Sequence, residues 1–145
     1  MKLEELFNEW RKDAKIDYSE LAKESLRIPE LHSKYYQMFC AERMLLKKKQ
    51  VEYKKLYRQK MEYYEGRLNE DELSELGWEQ FDLVVIKKDV PIYIEGDDDV
   101  ITSLINIQLQ QEKVDFLKSI IDNLNSRGYQ IKNAIDFLRW SQGNT

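Results

Sequence analysis

Between Pro29 and Gly66 the chain contains neither a glycine nor a proline. No other feature limits its folding so strongly. Pro29 suits the first turn of a helix, because its missing N–H is an orphan there in any case, and Gly66 supplies a C-terminal stop. The stretch predicts one helix over 29–66, roughly 55 Å long at about 1.5 Å per residue. A chain of 145 residues cannot cover so long a rod with its own domain. Another subunit, another protein or a ligand has to lie along it.

The rest of the chain is also poor in breakers, with five glycines and two prolines in all. Leu3, Leu6, Phe7 and Trp10 recur at helical spacing and predict a helix from Lys2 to about Ala14. Asp17 followed by Glu20 reads as a capping box for a second helix over about 18–27, which Pro29 ends. Asn69 with Glu72 caps a short helix that Gly77 stops. Residues 81–96, FDLVVIKKDVPIYIEG, are β-branched and aromatic with partial alternation at Val90, Ile92 and Ile94. They predict a small extended or β-hairpin-like segment near 81–95, with Pro91 confined to an edge. Asp97, Asp98 and Asp99 precede a helix over about 98–126, and another follows Gly128 over about 128–141.

The expected fold class is therefore mainly α, as one domain over 1–145. It comprises N-terminal helices (1–28), a long basic helix (29–66), an acidic connector with short strands (67–97) and C-terminal oligomerising helices (98–142). The helix beginning near 98 carries two apolar stripes. Val100, Ile107, Val114 and Ile121 repeat every seven residues, joined by Leu117 and Leu124. Ile101, Ile105, Leu109, Phe116 and Ile120 lie roughly opposite. Two stripes imply burial on two sides, within a compact monomer or against a neighbouring copy. The second reading makes Ile107, Val114, Leu117, Ile121 and Leu124 an oligomerisation face.

A net charge of -4 hides a strong asymmetry. Residues 34–60 hold nine Lys or Arg against two Glu, a local +7, and residues 61–100 are -10. On a helix Arg43, Lys47, Lys54 and Arg58 fall within about 60° of one another, with Lys48 and Lys55 on the flank. Phe39, Leu46, Tyr53, Tyr57 and Tyr64 share a different face, and Lys60 sits near it. Crowded cations repel one another unless an anion lies among them. Cations beside phenol rings suit a single-stranded nucleic acid, whose bases can stack while Lys and Arg follow the phosphates. An acidic protein partner would meet the same charge, and the tyrosines could equally be core or interface residues.

Enzyme signatures are missing. His32 and Cys40 are each the only residue of their type and lie eight apart, too far for a nucleophile–base pair on a helix. Neither GxGxxG nor GxxxxGK occurs, so no nucleotide or other cofactor is implied. Asp97–Asp99 could hold a hard cation, as a metal-dependent nuclease would require, but acids ahead of an apolar helical stripe more simply cap it. The lone cysteine excludes an internal disulfide and fits a reducing cytosol. No apolar run reaches transmembrane length, and the amphipathic N-terminus lacks the apolar centre of a signal peptide.

Several blocks in order resemble the UvsY recombination mediators of T-even-like tailed phages. They are KLEEL (2–6), KIDYSEL (15–21), LHSKYY (31–36), YYEGR (63–67) and SRGYQIK (126–132). The resemblance implies a non-enzymatic, ring-like homo-oligomer of about six or seven subunits that binds single-stranded DNA in the cytoplasm of the infected host. It implies two protein partners, a RecA-like phage recombinase and the phage single-strand-binding protein. The family's DNA-contacting Lys-x-Arg pair corresponds to Arg58 and Lys60, with the order of charges exchanged. The nucleic-acid-binding set expected is Arg43, Lys47, Lys48, Lys54, Lys55, Tyr57, Arg58, Lys60 and Arg67, with no metal. The alternative is a helical scaffold that binds only protein. Residues 70–98 match the family poorly.

Overall fold

The computed structural model describes residues 1–143. Five α-helices follow in chain order: α1 (Leu3–Asp13), α2 (Leu21–Tyr64), α3 (Glu70–Leu76), α4 (Val90–Glu95) and α5 (Asp98–Ser141), with one 3-10 turn at Lys87–Asp89. There is no strand among the described residues. The chain forms two compact units, one of residues 1–44 with 110 onward and one of residues 45–109. Both α2 and α5 contribute to each.

The first unit is held by apolar residues at helical spacing. Leu6 of α1, Leu31 and Tyr35 of α2, and Leu117, Ile120 and Leu124 of α5 form its buried cluster, with Trp10, Met38, Phe39, Phe116 and Ile121 packed on it. Each fully buried Leu or Ile contributes about 1.5–3 kcal/mol. Phe7 meets Phe116 edge-on at 4.6 Å, and Trp10 meets Tyr35 at 5.4 Å. Beside this cluster Gln110, itself buried, donates from Nε2 to the Glu42 carbonyl at 2.8 Å and to its carboxylate at 2.6 Å.

Three helix boundaries in this unit differ from expectation. Asp17 does not cap a helix at 18; its carboxylate accepts from the Ser19 N–H and hydroxyl, a local turn that competes with capping, and α2 starts at Leu21. Nor does Pro29 end that helix, for it lies inside α2. Proline removes the bond its N–H would give to Ser25, but both residues are exposed, on a side of the helix open to solvent. Leu21 and Leu31, buried on either side, hold the helix through the proline. Gly128 is likewise within α5, with Leu124 and Ile131 buried around it. The roughly 1 kcal/mol that a helical glycine costs is outweighed by that burial.

The second unit is built on Val90, Ile94 and Val100, with Tyr53, Leu56, Tyr57, Met61, Tyr64 and Val85 packed against them. Local signals read correctly here. Gly66 takes φ 74° just beyond α2, Asn69 accepts from the Glu72 N–H at 2.8 Å to cap α3, and Gly77 ends α3 at φ 71°. The extended segment expected near 81–95 is not a hairpin. Residues 81–86 belong to no regular element, and 90–95 form α4. Val90 and Ile94 are spaced i, i+4 and both buried, whereas Ile92 is exposed; the alternating pattern concealed a single helical turn with Pro91 in its first positions.

Candidate nucleic-acid interface

The second half of α2 presents the cations. Lys47, Lys48, Lys54, Lys55 and Arg58 are all exposed, and none is paired with a carboxylate among the described residues. Helical geometry puts Lys47, Lys54 and Arg58 within about 40° of one another, with Lys48 and Lys55 on one flank. Five unpaired cations on one face form a local positive field that attracts a polyanion. In the first unit Arg43 is exposed too, its guanidinium 5.1 Å from the Phe39 ring centre.

Lys60 departs from the expected set. Its side chain is only 5% exposed, and Nζ lies 3.1 Å from Asp97 Oδ2 and 3.0 Å from Asp99 Oδ2. The ammonium also stands 3.8 Å from the centre of the Trp78 ring. It is consumed inside the unit because it projects from α2 beside the aromatic face of Tyr53, Tyr57 and Tyr64. Tyr57 is half-buried, with part of its ring packed against the cluster of Val90, Ile94 and Val100. Arg67 is exposed and forms an ion pair with Glu65.

The carboxylate at the start of α5 serves two ends at once. Asp97 Oδ1 accepts from the N–H groups of Asp99 and Val100, and Oδ2 accepts from the Tyr64 hydroxyl at 2.6 Å. Burial pushes the Asp97 carboxyl up, but the hydrogen bonds from Tyr64, Lys60 and Val100 together hold it below the usual carboxylate range. The same burial and the anion beside it push the Tyr64 phenol up. Asp97 and Asp99 are thus committed to a helix cap and an ammonium.

The expected oligomerisation residues lie largely inside the chain. Val114, Leu117 and Leu124 are buried in the first unit and Ile121 is half-buried against its cluster. Ile107 is half-buried in the second unit. In that unit the other stripe stays open: Ile101 is 40% exposed, Leu104 39%, Ile105 49% and Leu109 56%. The sequence signal for these residues was present, since three of the four belong to the stripe read as the opposite face. Lys60 also carried a signal, its position beside the aromatic face, whereas Trp78 as its partner had none.

The likeness to known proteins covers nearly the whole chain. Residues 9–144 match the UvsY family, described as recombination, repair and single-stranded-DNA-binding protein UvsY. The chain belongs to the UvsY family. It is 27% identical over 143 residues to the recombination protein uvsY of Enterobacteria phage T4, covering 99% of each chain. A crystal structure of the bacteriophage T4 recombination mediator protein UvsY superimposes with TM-score 0.83 at 25% identity, covering 98% of both chains. A second crystal form shares the fold with TM-score 0.84 at 24% identity, over 97% of this chain and 99% of that one. UvsY proteins are non-enzymatic recombination mediators. No helix of the described residues is long and apolar enough to cross a membrane.

Proposed function

We propose that this UvsY-family chain binds single-stranded DNA along the exposed face of α2 and helps a RecA-like phage recombinase assemble on strands covered by the phage single-strand-binding protein. The observation that carries the reading is the row of unpaired cations Lys47, Lys48, Lys54, Lys55 and Arg58. Arg43 extends the set of phosphate ligands, and Arg67 joins when its Glu65 pair opens. Each subunit binds weakly. Copies joined through the open apolar run of α5, at Ile101, Leu104, Ile105 and Leu109, present the face repeatedly to one strand and gain by effective concentration. Bending the strand over that surface loosens the coat protein and offers the recombinase a bare stretch. The recombinase supplies all nucleotide chemistry, and the assembly acts in the cytoplasm of the infected host.

The test is binding of the full chain to fluorescent oligothymidylate across a salt series, followed by recombinase loading on the coated oligonucleotide. Affinity should fall steeply with salt, by about 0.7 in logarithmic slope for each phosphate neutralised, and loading should quicken. Binding to an acidic protein with none to the oligonucleotide would support a protein-only scaffold instead.

A further inference from the structure

Lys60 is the one basic residue between Lys54 and Arg67 that faces inward. Its ammonium has three N–H directions, and three groups meet it: Asp97 Oδ2 at 3.1 Å, Asp99 Oδ2 at 3.0 Å and the Trp78 ring at 3.8 Å. Tyr63 adds a second ring face at 5.3 Å. Asp97 is equally saturated, with two main-chain N–H groups on Oδ1 and the Tyr64 hydroxyl with Lys60 on Oδ2. The knot joins three pieces of the second unit: α2, the connector after α3 that bears Trp78, and the first turn of α5. It also neutralises carboxylates that belong to a segment with ten excess negative charges.

We propose that Lys60 is a positioning residue of the DNA-binding face and not a phosphate ligand: the exposed Arg58 contacts the strand, and the buried Lys60 acts through the fold. This rests on the reading of the α2 face as a single-stranded-DNA surface. Lys60 fastens the acidic start of α5 against α2 and cancels its charge, keeping a repulsive field away from the strand that Arg58 and Lys54 hold. Withdrawing the ammonium to reach a phosphate would break two ion pairs and leave the charges of Asp97 and Asp99 without a cation.

The experiment is lysine acylation of the full chain, free and with oligothymidylate, read residue by residue by mass spectrometry. Lys47, Lys48, Lys54 and Lys55 should react in the free protein and be protected by the oligonucleotide; Lys60 should stay unreacted in both. Reaction of Lys60 in the free protein at the rate of the exposed lysines overturns the proposal. Absence of protection at the four exposed lysines, with Lys60 silent, overturns the DNA reading and leaves the knot standing. A masked ligand that switches to phosphate on binding is separated by a second arm. K60M should weaken oligothymidylate binding, and K60M/D97N/D99N, which removes the knot whole and keeps a capping Asn, should restore both affinity and the wild-type salt slope. A triple variant that stays weak, with its slope reduced by about 0.7, shows a lost phosphate contact and refutes the positioning role.

Discussion

Arg27 and Arg127 place guanidinium nitrogens on the same main-chain oxygen, the carbonyl of Asp13, each at 3.1 Å. Arg127 reaches the Ala14 carbonyl as well, at 3.1 Å, and its guanidinium carbon lies 5.3 Å from the centre of the Trp10 ring. The last carbonyls of a helix have no partner within it; here two arginines supply one. Burial pulls the affinity of Arg127 for its proton down, and the neighbouring Arg27 charge adds to that effect, opposed by Glu24 and Asp13.

Replacement of Arg127 should therefore destabilise the fold without touching the cationic face. R127M loses two charge-assisted hydrogen bonds, and R127K cannot span both carbonyls with one ammonium. Urea unfolding should show a loss of about 2–3 kcal/mol for R127M. Oligonucleotide affinity per folded molecule should stay at the wild-type value. A stable R127M with weakened DNA binding would place Arg127 in the interface instead.

Acid should loosen both units through two carboxylates. Burial raises the Asp13 carboxyl, but hydrogen bonds from Lys34 and Tyr35 together hold it low, and Asp97 is held low in the same way by Tyr64 and Lys60. A carboxyl with a depressed pKa in the folded state takes up protons more readily when unfolded. Its stabilisation is complete above the unfolded value of about 3.9 and is lost as pH falls below that through the folded value. Unfolding followed from near neutrality into the acid range should show stability flat at first and falling below about pH 4. Y64F removes the phenol that donates to Asp97 at 2.6 Å and keeps the ring. It should cost about 1.5–2 kcal/mol near neutrality and make the acid loss smaller. An unchanged acid profile in Y64F would mean that the Tyr64 bond to Asp97 does not contribute to it.

The chemistry of single residues was legible where it acts locally. Gly66, Asn69 and Gly77 marked their boundaries because a positive φ or a capped N–H is decided within a few residues. Pro29 and Gly128 misled because burial of Leu21, Leu31, Leu124 and Ile131, set by distant parts of the chain, overrides a local helix penalty. The same cause hid α4, whose Val90 and Ile94 are read as helix only once their shared core with Val100 is known. Within the site, charge and helical phase were enough to group Lys47, Lys54 and Arg58. They could not show that Lys60 meets Asp97 and Asp99, which are nearly forty residues later, or that the rings of Tyr53 and Tyr57 face a core.

Self-association should depend on the open stripe of α5. I105K/L109K places two charges on residues that are half-exposed in the chain itself, so the stability of the individual chain should change little. Sedimentation should show smaller assemblies, and DNA binding should weaken as avidity is lost. Retention of the full assembly by I105K/L109K would move the contact elsewhere, whereas V114A or L117A should mainly destabilise the first unit, by about 2–5 kcal/mol at Leu117.

The central claim is that the unpaired cations of α2 hold the phosphates of a single strand. The most direct measurement is the salt slope of oligothymidylate binding for K54A/R58A beside the wild type. Both residues are exposed and unpaired, so the variant should fold normally, bind more weakly and lose about 1.4 from the magnitude of the slope, two phosphates at about 0.7 each. An unchanged affinity and an unchanged slope in the folded K54A/R58A variant would contradict the account.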